Sequence, residues 1–227
     1  MTTPRLSAPV LFLPQDLRSD TKLTSQITGL TNDAFRRCKL PDPDKWNYEA
    51  PRFRTNESYY EMLGDETIVA VIFDQNVAAE DSCPDNAREC GTITSGKVVA
   101  CAAAVPWKGG WAKEGVGEED GWEIKALAVD GNASYLRKGL AVQVMASLEN
   151  HLIERTRSQV KENLPEGTTN GSLTLWILAA ECITGAYWRK RGYSEIRRST
   201  EGEGVWGCKT SFDIVVYRKV VVFDVSH

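Results

Sequence analysis

The sequence has few histidines and no closely spaced pair of cysteines. Its six cysteines are scattered along the chain, at positions 38, 83, 90, 101, 182 and 208. This scatter indicates neither a zinc site nor a disulfide framework, so we expect buried, reduced thiols, although Cys83 and Cys90 share a polar loop and could pair. The two histidines, His151 and His227, lie near no evident nucleophile. Their positions disfavour an enzyme that works through a covalent intermediate.

Long apolar runs and an excess of basic residues are also missing. No run approaches the roughly 20 residues that span a bilayer, and Pro14 interrupts the short apolar segment near the N-terminus, so we expect a cytosolic protein. The net charge of -4 disfavours broad nucleic-acid binding, which needs a basic surface. A length of 227 residues suffices for one sizeable core. We therefore predict a single domain over residues 1–227.

Hydrophobic periodicity predicts alternating strands and helices along the chain. Strands are predicted at 9–13, 67–74, 97–107, 122–129, 173–180, 193–198 and 212–223. Helices are predicted at about 23–35, 57–63, 141–161 and 183–192. Polar loop insertions are predicted near 75–95 and 108–121. This order of elements predicts a mixed α/β sheet with helices on its faces.

The most informative segment joins a strand to a helix through a basic turn. Beyond the strand at 122–129, apolar residues recur at helical spacing, at Ala141, Met145, Leu148 and Leu152. Gly139 lies where this helix begins, and its missing side chain allows an anion to approach N–H groups that have no helical partner. Arg137 and Lys138 add positive charge. An ordinary solvated basic turn before a helix is the alternative.

This turn lies in a segment that resembles a motif of the GNAT acetyltransferase superfamily. The run LAVDGNASYLRKGLA resembles the family's acetyl-CoA pyrophosphate loop, Q/R-x-x-G-x-G/A, with Gly139 and Ala141 at the last two motif positions. Leu136 stands where Gln or Arg is usual. Because such a loop binds phosphate mainly through backbone amides, the leucine does not remove the mechanism.

A second segment, AAECITGAYWRKRGY, resembles the family's helix that ends in a YxKxGF-like pattern, with Lys190, Gly192 and Tyr193 matching. The resemblance extends from about Val10 to Phe223. It implies a mixed, mostly antiparallel central sheet of about seven strands, flanked by about four helices.

The resemblance also implies acetyl-CoA as the cofactor and CoA as the product. The pyrophosphate would bind the amides of residues 136–141, and the pantetheine arm would run beside 127–129, where an amide N–H would polarise the thioester carbonyl. The side chains of that strand could also be purely core. The implied cofactor-binding residues are Leu127, Ala128, Val129, Leu136, Arg137, Lys138, Gly139, Leu140, Ala141, Glu181 and Trp188.

Acetyl transfer to an amine would require a base. Deprotonating an alkyl amine at pH 7 costs about 4.6 kcal/mol. Glu123, in the run EIKALAV, resembles the family glutamate that takes this role, although it could also be a solvent-facing carboxylate at a strand end. Trp188 occupies the position where many relatives carry a tyrosine acid, and indole cannot donate such a proton. Tyr187 is the remaining candidate acid, but one helical residue turns about 100°, so we expect it to point elsewhere.

The acceptor site is less clearly marked. Four aromatic residues could wall a pocket or could simply pack in the core: Trp46, Tyr48, Phe53 and Trp107. The acidic run Glu118, Glu119 and Asp120 could attract a cationic amine or form a solvated face.

The sequence therefore predicts an N-acetyltransferase that moves an acetyl group from acetyl-CoA to a primary amine, expected to belong to a small molecule, by direct transfer in a ternary complex. A protein or peptide acetyltransferase is one alternative. A catalytically silent acyl-CoA-binding module is another, since Trp188 stands at the acid position. No metal, nucleic-acid or membrane partner is expected.

Overall fold

The computed structural model describes residues 3–77, 96–163 and 170–225. Most of the predicted insertion at 75–95 lies outside these residues, as do Cys83, Cys90 and His227. No helix in the described ranges is long and apolar enough to cross a membrane.

Seven strands and five α-helices form the described part of the chain. The strands are β1 (Val10–Phe12), β2 (Ile68–Asp74), β3 (Lys97–Pro106), β4 (Trp122–Val129), β5 (Asn170–Ala180), β6 (Ser194–Glu201) and β7 (Phe212–Asp224). The α-helices are α1 (Pro14–Ser19), α2 (Thr21–Lys39), α3 (Asn56–Leu63), α4 (Leu140–Asn163) and α5 (Ala186–Lys190). A π-turn, Glu181–Gly185, precedes α5, and a 3₁₀ turn, Val205–Gly207, lies between β6 and β7.

The strands form one mixed sheet in the order β1-β2-β3-β4-β5-β7-β6. Antiparallel pairing joins β1 to β2, β5 to β7 and β6 to β7, whereas β4 and β5 are parallel. The predicted seven-stranded mixed sheet, which the GNAT resemblance also implies, is confirmed. The helices number five in the described chain where about four were predicted.

Contacts divide the chain into two compact units. Unit 1 comprises Met1–Arg37, Pro51–Ala103 and Ala126–Leu148, and unit 2 comprises Cys38–Ala50, Ala104–Lys125 and Glu149–His227. The boundaries fall inside β3, β4 and α4. The single domain therefore stays a prediction.

The core of unit 1 packs α2 and α3 with β2 and β3. Apolar spacing predicts that α2 buries Leu23, Ile27, Leu30 and Phe35 on one face. The first three are buried, but the next buried apolar residue is Ala34 and not Phe35. Strand β2 is buried at every position, as its continuous apolar run indicates for an interior strand.

Helix α1 was not predicted, because Pro14 was interpreted as an interruption of an apolar segment. Pro14 instead starts the helix, where a residue without an N–H loses no hydrogen bond. The Asp16 carboxylate accepts a hydrogen bond from Leu13 N–H at 2.8 Å, which closes the first turn. Leu17, on the inner face, is fully buried.

The core of unit 2 is built on the long β5–β7 ladder, which pairs Asn170↔Asp224 through Ala180↔Ile214. Trp46 packs edge-on against Phe212, with ring centroids 4.9 Å apart. Strand β6 continues the sheet beyond β7 and completes its described edge.

Candidate active site

The predicted anion-binding turn forms a concave backbone feature at the start of α4. Arg137 and Gly139 both adopt left-handed conformations, with φ of 60° and 76°. The first helical hydrogen bond of α4 runs from Gln143 N–H to Gly139 O, at 3.0 Å. The amides that precede Gln143 therefore belong to the first turn of the helix, which has no helical acceptors for them. Left-handed residues next to ordinary ones make such amides converge on an anion. We call the turn at residues 136–141 the anion cradle.

The surface of the anion cradle is accessible. Residues 136–139 are exposed, whereas Leu140 is 2% exposed and offers only its backbone. A Cβ at Gly139 would meet no atom within 4 Å, so its glycine is required by backbone conformation and not by crowding. A non-glycine residue at positive φ is uncommon, and Arg137 is held there beside a basic neighbour, Lys138.

Strand β4 leaves its parallel partner early and is then irregular. Its ladder with β5 consists of Trp122↔Leu175 and Glu123↔Trp176. Three residues later Ala126 has φ 50°, which interrupts the regular pleat. The predicted pantetheine segment, residues 127–129, follows this irregularity.

The amides of β4 divide between its two edges. Asp130 N–H donates to Val99 O of β3 at 2.9 Å, so the N–H of Ala128, two residues earlier on the strand, also points toward β3. Because successive strand amides alternate in direction, those of Leu127 and Val129 point away from β3. Among the predicted residues, these two are the better placed to polarise an external carbonyl.

The predicted base, Glu123, is buried at 5% exposure. Lys125 Nζ lies 3.1 Å from Glu123 Oε2. Residues two apart on a strand share a face, which explains why this pair meets. Glu123 is also the ladder partner of Trp176, whose indole stacks on Trp107 at 4.7 Å between ring centroids. The Glu123 side chain is therefore buried beside Lys125, in the part of the sheet that carries the Trp176–Trp107 stack. Sequence reasoning missed Lys125, although its two-residue spacing could have signalled it.

The candidate acid and its neighbour differ in their surroundings. Trp188 is 6% exposed and packs edge-on against Tyr187 and Tyr193, with centroids 5.0 and 5.4 Å away. Tyr187 Oη is buried and, among the described residues, has no hydrogen-bond partner. A buried hydroxyl without a partner is costly, so this atom is available to a further polar group. Arg191 lies over the Tyr187 ring at 5.3 Å.

Glu181, predicted near the pantetheine arm, has internal partners. It opens the π-turn and accepts hydrogen bonds from Tyr217 Oη and from Arg189 Nη1, the latter at 2.6 Å. The hydrogen bond from Tyr217 is the largest effect that lowers the pKa of the Glu181 carboxyl, while partial burial opposes it. Burial and the same bond raise the pKa of Tyr217 to about 12. A Cβ at Gly185 would meet this carboxylate, so a larger residue there would force the end of the Glu181 side chain to shift.

Three of the four predicted pocket walls are packed inside the protein. Trp46 is 2% exposed, Phe53 is 6% exposed and Trp107 is 8% exposed. Their role in acceptor binding stays a prediction that little side-chain surface supports. Tyr48 is partly exposed. Sequence reasoning missed a pair of accessible rings, Trp111 and Trp206, which meet edge-on at 5.5 Å.

Neither sequence interpretation of the acidic run fits Glu119. Its carboxylate accepts two hydrogen bonds from Arg197, at 2.6 and 2.8 Å, and one from Trp107 Nε1 at 2.9 Å. The Arg197 bonds lower the pKa of Glu119, against the opposing effect of burial. The adjacent carbonyl of Asp120 accepts from Trp176 Nε1 at 2.8 Å. Glu119 therefore fastens the loop at 108–121 within unit 2, while Glu118 and Asp120 are exposed.

No group of three or more His, Cys, Asp or Glu residues in the described ranges could hold a metal ion.

No family model matches the chain, and no curated protein matches it in sequence. Three solved structures illustrate what the chain is similar to. An acetyltransferase of the GNAT family from Streptococcus pneumoniae is 11% identical, with 96% of this chain and 99% of that chain covered and a TM-score of 0.48. A ribosomal-protein-alanine N-acetyltransferase from Brucella melitensis is 18% identical, with 93% and 99% covered and a TM-score of 0.46. NAA60 of Arabidopsis thaliana, in complex with acetyl-CoA, is 14% identical, with 96% and 99% covered and a TM-score of 0.45.

The Glu119–Arg197 pair generates a prediction about stability and pH. Replacing Glu119→Gln should lower the free energy of unfolding by about 1 to 3 kcal/mol at pH 7, because charge-assisted hydrogen bonds are lost. The folded-state pKa of Glu119 is lowered, so its contribution is present above the unfolded pKa and is lost as pH falls through the folded pKa. Denaturant titrations from pH 7 to pH 3 should show the difference shrinking below about pH 4.

The matched control is Glu118→Gln, which removes an exposed neighbouring charge and should change stability by less than about 0.5 kcal/mol. Equal effects of the two substitutions, or a Glu119→Gln effect that does not change with pH, would contradict the role of Glu119.

Proposed function

We propose that the chain is an acyl-CoA-dependent N-acetyltransferase of the GNAT superfamily. It would move an acetyl group from acetyl-CoA to a primary amine of a small molecule, by direct transfer in a ternary complex. The observation that carries the proposal is the anion cradle, in which left-handed Arg137 and Gly139 precede the α4 N-terminus. That arrangement suits a pyrophosphate, and it follows directly along the chain from the strand that carries Glu123.

Residues of the chain would take the following roles in acetyl transfer. The amides of the anion cradle beyond Leu136, whose own N–H donates to Asn132 O, would hold the pyrophosphate, and Leu127 or Val129 N–H would polarise the acetyl carbonyl. Acetyl-CoA supplies the acetyl group already activated as a thioester. Glu123 would take the proton of the incoming ammonium, directly or through water, and its ion pair with Lys125 would hold the carboxylate in place. Tyr187 Oη, which is buried and has no hydrogen-bond partner among the described residues, would be the candidate proton donor to the leaving sulfur, although the thiolate would not need it in order to leave.

Direct transfer is consistent with the state of two of the described thiols, those of Cys101 and Cys182. Burial raises the pKa of the Cys101 thiol to about 12, and burial also raises the pKa of Cys182. A thiolate, and not a thiol, is the effective nucleophile, so neither group is activated.

Hydrogen bonds between loops of unit 2 support a small-molecule acceptor over a peptide. Asn47 N–H donates to Gly207 O, and Lys209 N–H donates to Lys45 O, each at 2.8 Å. These bonds fasten the segment at 38–50 to the turn between β6 and β7. Segments joined in this way leave less room for an extended peptide than an open groove would. A free-thiol release assay across amines, amino acids and peptides would test this choice, and turnover confined to peptides would overturn it.

Binding of CoA should depend on the anion cradle. In isothermal titration calorimetry, Gly139→Glu should abolish CoA binding, because its carboxylate would repel the pyrophosphate and its side chain would strain a left-handed position. Gly139→Ala, which adds strain of about 1 kcal/mol but no charge, should weaken binding less. Gly117→Glu is the matched control, since Gly117 also has positive φ and open surroundings.

Absence of CoA binding by the unsubstituted protein would refute the proposed function. Unchanged binding by Gly139→Glu would show that the pyrophosphate lies elsewhere.

Turnover should depend on Glu123. Glu123→Gln keeps the shape of the side chain and removes its basicity, so turnover should fall about ten- to a thousandfold while the Kd for acetyl-CoA changes little. Steady-state thiol release over pH 6 to 9 measures this change, with Glu118→Gln as the control for a lost negative charge. Turnover equal to that of the unsubstituted enzyme at every pH would leave Glu123 with a structural role only.

The leaving thiolate should need no essential acid. A thiol of pKa near 8.5 leaves adequately without protonation, so the pH profile of turnover should rise with the base and stay flat to about pH 9. Tyr187→Phe should therefore change turnover little in the same assay. A marked loss in this variant, with a descending alkaline limb seen only in the unsubstituted enzyme, would instead assign the acid role to Tyr187.

A further inference from the structure

A buried carboxylate lies at the end of β2. Asp74 is 2% exposed and accepts hydrogen bonds from Arg5 N–H and Asn76 N–H, each at 3.0 Å, and from Tyr135 Oη at 2.8 Å. The two amides belong to its own neighbourhood in the sheet, where Leu6 bridges to Asp74. The Tyr135 hydroxyl, in contrast, comes from the segment that leads into the anion cradle.

Tyr135 is the buried residue of an otherwise accessible turn. It is 5% exposed, whereas the next residue, Leu136, is 44% exposed and begins the anion cradle. The amides of both residues donate to Asn132 O, at 2.9 and 3.1 Å, so Tyr135 and the first cradle residue belong to one hydrogen-bonded turn. Any displacement of the Tyr135 ring would therefore move the start of the anion cradle.

The opposite end of this segment is also fixed. Lys97 Nζ lies 2.8 Å from Asp130 Oδ2, and Arg37 Nη2 donates to Val129 O. Gly131 lies so close to Arg37 that a Cβ would be 2.7 Å from its Nε. Residues 130–135 are thus held at both ends, and Tyr135 is the attachment next to the anion cradle.

Strain explains why such an attachment is needed. A non-glycine residue in the left-handed region, such as Arg137, costs about 1 kcal/mol or more and persists when its surroundings impose it. Without these attachments, residues 130–135 would move, and in part of the molecules the amides of the anion cradle would no longer point toward one anion. Only the fraction of molecules with a formed cradle binds well, so the apparent Kd rises as that fraction falls.

We propose that Tyr135 and Asp74 are positioning residues that keep the anion cradle formed and thereby set the affinity for CoA and acetyl-CoA. The proposal rests on the proposed function, because CoA is the ligand that the anion cradle would bind. Neither side chain needs to touch the ligand. The hydroxyl of Tyr135 acts through the turn to which it belongs.

The test is Tyr135→Phe, which removes one hydroxyl and keeps the ring. We expect the Kd for CoA, measured by calorimetry, to rise about three- to tenfold. The KM for acetyl-CoA should rise by a similar factor while kcat at saturation stays unchanged, because the anion cradle holds the ground state and the transition state alike.

Tyr60→Phe is the matched control. It also removes a hydroxyl within unit 1, one that donates to Leu17 O at 3.1 Å, far along the chain from the anion cradle. This variant should lose stability and keep the Kd for CoA. If Tyr60→Phe and Tyr135→Phe raise the Kd equally, the effect is one of general stability and the proposal is wrong.

Asp74→Asn provides an independent check where it folds. If the Tyr135–Asp74 bond is the common cause, the double variant should bind CoA about as weakly as the weaker single variant, and multiplicative effects would contradict the proposal. The Tyr135→Phe effect should also be constant from pH 6 to 9. Burial opposes ionisation of Asp74, yet its hydrogen bonds lower its pKa, while burial and Asp74 raise the pKa of Tyr135 to about 12.

The outcomes separate the two proposals. An unsubstituted protein that binds no CoA refutes the proposed function. An unsubstituted protein that binds CoA, together with a Tyr135→Phe variant of equal Kd and KM, refutes the positioning role alone.

Discussion

The need of backbone N–H and C=O groups for hydrogen-bond partners shapes both the end of β4 and the anion cradle. Where β4 becomes irregular at Ala126 and where α4 begins at Leu140, regular secondary structure no longer supplies partners for N–H and C=O groups. Inside unit 1, side chains supply two of them: the Cys101 thiol donates to Ala126 O, and Arg37 donates to Val129 O. At the start of α4 the amides face accessible surface. The same constraint thus produces both a rigid support and a place where an anion can bind.

In each unit, acidic side chains hold segments of the chain in position. Asp74 holds the turn at Tyr135, Glu119 holds the loop at 108–121 through Arg197, and Glu181 holds the π-turn through Tyr217. In each case the hydrogen bonds lower the pKa of the carboxyl, so the charge persists at neutral pH. Glu123 differs, because Lys125, whose Nζ lies 3.1 Å from its carboxylate, belongs to the same strand.

Much of the fold was predictable because its signals are local. Apolar periodicity over α2 and α4, and the β-branched runs of β2, β3 and β5, depend only on neighbouring residues. Helix α1 was missed because Pro14 signals both an interruption and a helix start, and the burial of Leu17 decides between them. The sequence also indicated the turn at Gly139, since a glycine between a strand and a helix has few explanations. It could not indicate that Arg137 shares the left-handed conformation, which nothing in its own side chain favours.

Sequence by itself determined the mixed sheet, the turn between a strand and a helix at Gly139 and the presence of Glu123 on the strand before it, because each depends on the order of residues within one or two elements. Tertiary structure decided which side chains hold those features. Tyr135 and Asp74 are 61 residues apart, and Glu119 and Arg197 are 78 apart. It also assigned Trp46 and Trp107 to the core, since an aromatic residue can line a pocket or fill an interior with the same local sequence. Contacts between distant residues follow from how the chain packs, and no local pattern encodes them.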